Sequence, residues 1–293
     1  MYERILVPLD GSKLAEASLP YAEKLARKLG SQTTLISVLQ FGSESDEDQY
    51  HHLQQFYIQE MAKTMKQKAI KVKSVIVTGD PAEQIVDYAD KKNIDLIIMG
   101  TRGRSQLTRW ILGSVADKVV SATSCPVALI SSKDTEAGVR ERKILRKALV
   151  ILDGTAQGEV IIPYIEELAS KLNMEVTLLQ LVEQVLVYFE GASDLNYVPV
   201  SKKEGNSRSA KARRYLKKLA STLEDKGITV KVKVATKGKS GETITKVASK
   251  IDADLLAVAT HGHSGISRWF LGSVRDDIVN IGNILVLLVS APE

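Results

Sequence analysis

The chain has 293 residues, 44% hydrophobic and 26% charged, with 40 Lys and Arg against 35 Asp and Glu for a formal net charge of +5. That length suits two α/β domains, and the charge mildly favours anionic partners but says little about nucleic acid. No apolar run approaches the roughly 18–20 residues of a membrane span, and a single cysteine, Cys125, excludes an intrachain disulfide. Met1 to Ile5 shows no signal-peptide pattern. The expected location is therefore cytoplasmic, with neither membrane nor nucleic acid as a partner.

Arg4 to Leu9 is a short apolar run that ends at Asp10 and reads as a strand. Pro8 lacks an N–H and belongs at that strand's carboxyl end. Ser12 is placed to cap one helix whose apolar stripe is Leu14, Ala15, Tyr21, Ala22, Leu25, Ala26 and Leu29, with Gly30 as its stop. Thr33 to Leu39 is a second strand. An acidic loop, Glu44 to Asp48, precedes a helix from about Gln49 to Ala69 and a strand from Val72 to Val77. Gly79-Asp80-Pro81 turns into a helix from about Ala82 to Lys92.

Leu96 to Met99 reads as a buried parallel strand that stops at Gly100. A loop carries Gly103, and Gly113-Ser114 opens a helix from Val115 to Ala122. Ser114 is the expected N-cap, with Asp117 three residues on as a capping-box partner. Val127 to Ile130 is the fifth strand, and Cys125, beside Pro126, reads as a buried structural thiol. Alternation of this kind predicts a parallel doubly wound sheet with right-handed crossovers.

The pattern then repeats. Arg109-Trp110-Ile111-Leu112-Gly113-Ser114-Val115 returns 159 residues later as Arg268-Trp269-Phe270-Leu271-Gly272-Ser273-Val274. Leu9-Asp10-Gly11-Ser12 returns 143 residues later as Leu152-Asp153-Gly154-Thr155. Two markers in the same order mean two copies of one domain, expected over 1–133 and 143–293, with the polar run Ser131 to Lys143 as linker. The shifts differ by 16 residues, which requires an insertion in the second copy, expected from Glu183 to about Arg208.

The second copy's first strand is Ala148 to Leu152, its first helix about Ala156 to Leu172 with Asn173 as the left-handed stop, and its second strand Val176 to Val182. Ala210 to Asp225 reads as a basic amphipathic helix. The run Lys202-Lys203, Arg208, Lys211, Arg213-Arg214, Lys217-Lys218 could touch nucleic acid or an anionic surface, but a solvated helix face is the expectation, since Tyr215 alone among these residues does not make a base-stacking site. His51-His52, and His261 with His263, lack the third ligand a metal site needs and read as exposed residues.

The Leu96 to Ser114 stretch admits two readings. Glycines at a strand end and a helix start let backbone approach a ligand, and a helix N-terminus favours an anion, which together outline a phosphate cradle. A plain strand–loop–helix connection, with glycine serving only the turns, fits the same residues. There is no Walker-type Gly-x-x-x-x-Gly-Lys-[Ser/Thr] loop.

Each half resembles the universal stress protein domain. The resemblance rests on Asp10-Gly11-Ser12, Cys125-Pro126-Val127, and the spacing Gly100, Gly103, Gly113, Ser114, which is the full glycine pattern of the family's ATP-binding subclass. It implies a Rossmann-like α/β fold with strand order 3-2-1-4-5 in each half, and two halves packed as a pseudo-dimer through antiparallel fifth strands, Val127 to Ile130 and Leu285 to Val289. It also implies ATP with Mg as cofactors. The implied contacts are Pro8, Leu9, Asp10, Val38, Met99, Gly100, Gly103, Arg104, Gly113, Ser114 and Val115, with Asp10 toward the metal.

In the second copy the counterparts are Asp153, Gly262, Gly272 and Ser273, but Ala259 stands where the first copy has Gly100, and Leu181 stands for Val38. That leaves the second site open between binding and loss. The resemblance implies a nucleotide-dependent stress-response or signalling module, with a slow Mg-dependent ATP hydrolase and a scaffold that binds no nucleotide as the alternatives. Homo-oligomers are compatible with it, and the protein partner is undetermined.

Overall fold

A computed structural model describes residues 1–40, 47–101, 112–130, 145–183, 186–187, 198–199, 202–237, 240–260 and 284–291. In the first half the order is β1 (Arg4–Pro8), α1 (Lys13–Glu16), α2 (Leu19–Leu29), β2 (Gln32–Leu39), α3 (Glu47–Gln67), β3 (Val72–Thr78), α4 (Pro81–Lys91), β4 (Leu96–Gly100), α5 (Ser114–Ala122) and β5 (Val127–Ile130). The second half runs β6 (Lys147–Leu152), α6 (Ala156–Glu159), α7 (Ile162–Leu172), β7 (Glu175–Glu183), β8 (Leu186–Val187), β9 (Val198–Pro199), α8 (Lys202–Glu224), β10 (Thr229–Lys237), α9 (Ser240–Ile251), β11 (Leu255–Thr260) and β12 (Leu285–Ser290).

One ten-stranded sheet carries both halves in the order β10-β7-β6-β11-β12-β5-β4-β1-β2-β3. Each half therefore has the expected 3-2-1-4-5 order with all its own strands parallel. The fold is α/β and Rossmann-like. Strands buried on both faces, such as Leu96–Gly100 and Leu285–Ser290, read as unbroken apolar runs because helices cover both sides.

The halves join where β5 and β12 run antiparallel, with Val286 opposite Leu129, Leu287 opposite Ala128 and Leu288 opposite Val127. This pairing removes two apolar strand edges at once. Tyr2 crosses the same boundary, donating its hydroxyl to the Tyr164 carbonyl at 3.1 Å while its ring meets the Tyr164 ring edge-on at 6.3 Å. Ser290 also donates to the Thr123 carbonyl at 3.1 Å.

Four expectations change. The single first helix of each half is two: α1 and α2, then α6 and α7. The interruptions sit just ahead of Pro20 and Pro163, which cannot donate to the preceding turn. Ser114 is the first helical residue, not the cap. Gly113 takes the extended cap conformation (φ −61°, ψ 149°), its carbonyl accepts from Asp117 N–H at 2.9 Å, and no side chain caps this end. The acidic loop is shorter than expected, because α3 begins at Glu47. The second-half insertion is partly structured: β7 runs to Glu183, β8 and β9 pair as an antiparallel ribbon, and α8 starts at Lys202. The linker expected over Ser131 to Lys143 lies outside the described residues.

The left-handed stops are where they were expected, at Gly30 (φ 74°) and Asn173 (φ 54°). Cys125 is buried, its thiol donates to the Ile94 carbonyl at 3.3 Å, and burial pushes its pKa up to about 12. That is a structural thiol rather than a nucleophile. Arg208, Lys211, Arg213, Arg214, Lys217 and Lys218 on α8 are all exposed, while Ala212, Leu216, Ala220 and Leu223 face the core. No described helix is long and apolar enough to cross a membrane.

Candidate functional site

The strand order reverses between β1 and β4, so a crevice is expected beyond their carboxyl ends. The ladder between them is short. It pairs Ile5 with Leu96 and Leu6 with Ile97 and goes no further. Each strand continues with its outer neighbour instead, β1 with β2 to Pro8–Ile36 and β4 with β5 to Gly100–Ile130.

Pro8 supplies the reason. In a parallel ladder, successive residues present their polar groups to opposite neighbours. Leu9 N–H bonds the Ile36 carbonyl on the β2 side at 2.8 Å, and the Arg4 carbonyl accepts from Asp95 N–H, just before β4, at 2.9 Å. The donor of residue 8 therefore faces β4, and proline has none. The hydrogen-bonded ladder ends where that bond is missing.

The expected residues gather around this opening. Pro8 is half-buried at the end of β1, Leu9 is buried, and Asp10 is half-buried just past the strand. The turn is fixed by Gly11 in the left-handed region (φ 83°) and by Ser12 N–H, which donates to Asp10 Oδ1 at 2.9 Å. Ser12 then caps α1 by accepting from Ala15 N–H at 3.1 Å, and α1 packs against β4. Val38 lies half-buried near the end of β2, opposite Val77.

On the β4 side, Met99 is buried opposite Leu129, and Gly100 pairs with Ile130. Thr101 N–H continues to the Ile130 carbonyl at 2.9 Å, and Gly113 N–H bonds the Thr101 carbonyl at 2.8 Å. That bond seats the start of α5 beside the end of β4. Gly113, Ser114 and Val115 thus bring the first turn of α5, whose N–H groups have no intrahelical acceptor, to the crevice. Gly103 and Arg104 lie outside the described residues, as do Gly262, Gly272, Ser273, His261 and His263.

Two features bear on the turn reading of the glycines. Gly100 is paired strand backbone, and Gly113 has φ −61°. Both conformations are open to any residue, so turn geometry does not require glycine at either.

Sequence reasoning did not anticipate three parts of this site. Tyr57 on α3 donates to Glu16 of α1 at 3.0 Å, tying the helix layer to the Asp10 turn. Gln54, also on α3, is buried and donates to Ser37 Oγ at 2.7 Å, at the end of β2. The third is the wedge at Pro8. Its signal was available, since the second copy has Ile151 at that position. His51 and His52 on α3 are exposed, and no group of three or more metal-ligating side chains occurs among the described residues.

In the second half Asp153 is half-buried just beyond β6, followed by Gly154 in the same left-handed conformation as Gly11 (φ 86°). Ala259 is ordinary strand, paired with Val289 and buried. Leu181, the counterpart of Val38, is buried as well.

The family model described as "Universal stress protein family" matches residues 1–131 and again 145–290. A universal stress protein of Methanocaldococcus jannaschii is 31% identical over 146 residues, spanning 46% of this chain and 86% of that protein. One from Mycobacterium tuberculosis is 24% identical over 223 residues, 75% of this chain and 70% of the other. Among solved structures, a universal stress protein from Archaeoglobus fulgidus superposes with a TM-score of 0.73 at 19% identity over 99% of both chains, a likeness of fold. Two matched copies, joined through their fifth strands in one sheet, identify the chain as a tandem member of the universal stress protein family.

Proposed function

We propose that the crevice between β1 and β4 of the first half binds ATP with Mg²⁺, and that the chain works as a nucleotide-dependent stress-response or signalling module. The observation that carries this reading is the pair Gly100 and Gly113. Both line the switch-point opening in conformations that do not need glycine, so close approach of a ligand is what explains them. The complete spacing Gly100, Gly103, Gly113, Ser114 supports the same assignment.

The roles follow from the chemistry at each position. The first-turn N–H groups of Ser114 and Val115, with the dipole of α5, favour phosphate oxygens. Gly103 and Arg104 fall in sequence between Gly100 and Gly113, and a guanidinium would add charge neutralisation to the phosphates. Val38, Pro8, Leu9 and Met99 supply apolar surface and strand-end backbone for the base and ribose. Asp10 offers the hard carboxylate oxygen that Mg²⁺ takes together with substrate phosphates, so the donor set fits the ion. When bound, the metal would supply neutralisation of phosphate charge.

Isothermal titration with ATP and Mg²⁺ tests the reading. Heat of binding is expected from the unmodified chain and should vanish in Gly113→Val, whose side chain would occupy the space at the head of α5. Unchanged affinity in that variant would overturn the assignment.

A further inference from the structure

The second half has the same switch point, but its crevice is built differently, and the differences all point one way. Between β6 and β11 the ladder runs from Ala148–Leu255 through Val150–Ala257 to Ile151–Val258. The first half stops two residue pairs earlier, a difference of about 6–7 Å along the strands at the usual rise. Ile151 replaces Pro8. The Lys147 carbonyl accepts from Asp254 N–H at 2.9 Å on the β11 side, so by alternation the Ile151 N–H faces β11 too. Where proline ends the first ladder, a residue with a donor lets the second run two residue pairs further.

The next difference is an exchange across two layers. In the first half a glutamine on the helix, Gln54, reaches a serine on the strand, Ser37, and the bond stays within the buried layer. In the second half the glutamine is on the strand. Gln180 stands where Ser37 does, and Ala212 on α8 aligns with Gln54 on α3. Gln180 Nε2 turns to the turn past β6 and donates to the Asp153 carbonyl at 3.1 Å. It lies so close over Gly154 that a Cβ there would meet it at 2.9 Å. The carboxamide covers the turn that corresponds to Asp10-Gly11.

The carboxylate itself is the third difference. Asp153 Oδ1 accepts from Thr155 N–H at 2.9 Å and from the Thr155 hydroxyl at 2.7 Å. It also packs against Gly158, where a Cβ would sit only 2.2 Å from Oδ1. The first half has Ala15 at that place; Asp10 Oδ1 accepts the same backbone bond, from Ser12 N–H at 2.9 Å, so the added features of the second half are the Thr155 hydroxyl bond and the contact with Gly158. Finally, Ala259 buries a methyl group where Gly100 leaves room.

We infer that the second crevice is closed and filled by this chain's own residues, Ile151, Gln180, Asp153 and Ala259, so that one chain carries one nucleotide site, in its first half. The second half then serves as the permanent partner that covers the β5 edge. This rests on the first-half reading for the site that remains, while the closure of the second half is independent of it.

The test is a binding count. ATP with Mg²⁺ is titrated calorimetrically into the full chain, into Gly113→Val and into Asp10→Ala, with circular dichroism melts to confirm folding of each. The expected result is one ATP per unmodified chain and at least a hundredfold loss of affinity in both variants, with no residual second site. Two ATP per unmodified chain, or one site surviving unweakened in the first-half variants, would overturn the inference. Absence of binding in the unmodified chain would refute the first-half reading and leave the closure of the second half standing.

Discussion

Replacing Gly158 by alanine should change sign with the state of one neighbouring carboxylate. Gly158 lies in the short helix α6, where alanine would ordinarily stabilise by about 0.5–1 kcal/mol. Here its Cβ would fall 2.2 Å from Asp153 Oδ1, well inside contact distance. The carboxylate must leave, giving up the Thr155 N–H at 2.9 Å and the Thr155 hydroxyl at 2.7 Å. Bonds to charged groups are worth up to about 3 kcal/mol, but Thr155 is exposed and Asp153 only half-buried, so about 0.5–1 kcal/mol each is the appropriate scale. The loss of about 1–2 kcal/mol exceeds the helix gain, and Gly158→Ala alone should destabilise by about 0.5–1 kcal/mol. In an Asp153→Ala background nothing obstructs the methyl, and the same substitution should stabilise by about 0.5–1 kcal/mol. Urea denaturation of the four proteins of this cycle measures a coupling of about 1–2 kcal/mol. Equal stabilisation in both backgrounds would refute the argument that Asp153 is locked against α6.

Three further outcomes are expected. Pro8→Ile restores a donor facing β4 and should extend the β1–β4 ladder; ATP affinity should fall tenfold or more while the melting temperature holds or rises, and unchanged affinity would remove the wedge from the account. Leu129→Ala cuts a fully buried side chain out of the seam opposite Val286, and should cost about 2–5 kcal/mol in urea denaturation. Asp80 caps α4, accepting from Glu83 N–H at 3.2 Å and Ala82 N–H at 2.9 Å, and the Glu83 bond in particular holds its carboxyl below the usual range, with help from Lys118. A folded pKa lowered in this way adds stability above the unfolded value that is lost as pH falls through the folded one. Asp80→Asn should therefore flatten the acid end of the stability–pH curve without changing its shape near neutrality.

Much of the fold was legible because its causes are local. Apolar runs, the stops at Gly30 and Asn173, and the alternation of strand and helix depend on neighbours a few residues away. The repeated Arg-Trp-x-Leu-Gly-Ser-Val marker made the second domain visible without any structure. Local rules erred where two signals competed. Apolar periodicity ran straight through Pro20 and Pro163, and the proline's missing donor won, splitting each first helix. At α5 the serine looked like a cap, but the bond between Gly113 N–H and the Thr101 carbonyl set the helix start one residue earlier.

By itself the sequence determined the two copies, the parallel order within each, and the residue types around the first crevice, including the Gly100-to-Ala259 difference. Only the tertiary structure decided which of those residues meet. Whether proline at position 8 matters depends on which neighbour its absent N–H would have faced, and that is known only once β2 and β4 flank β1. Whether Gln180 plugs a site depends on Ala212, 32 positions away and on another layer. Hydrogen-bond direction and side-chain reach are properties of strands already paired, and they make the two switch points differ although both are built on the same repeated pattern.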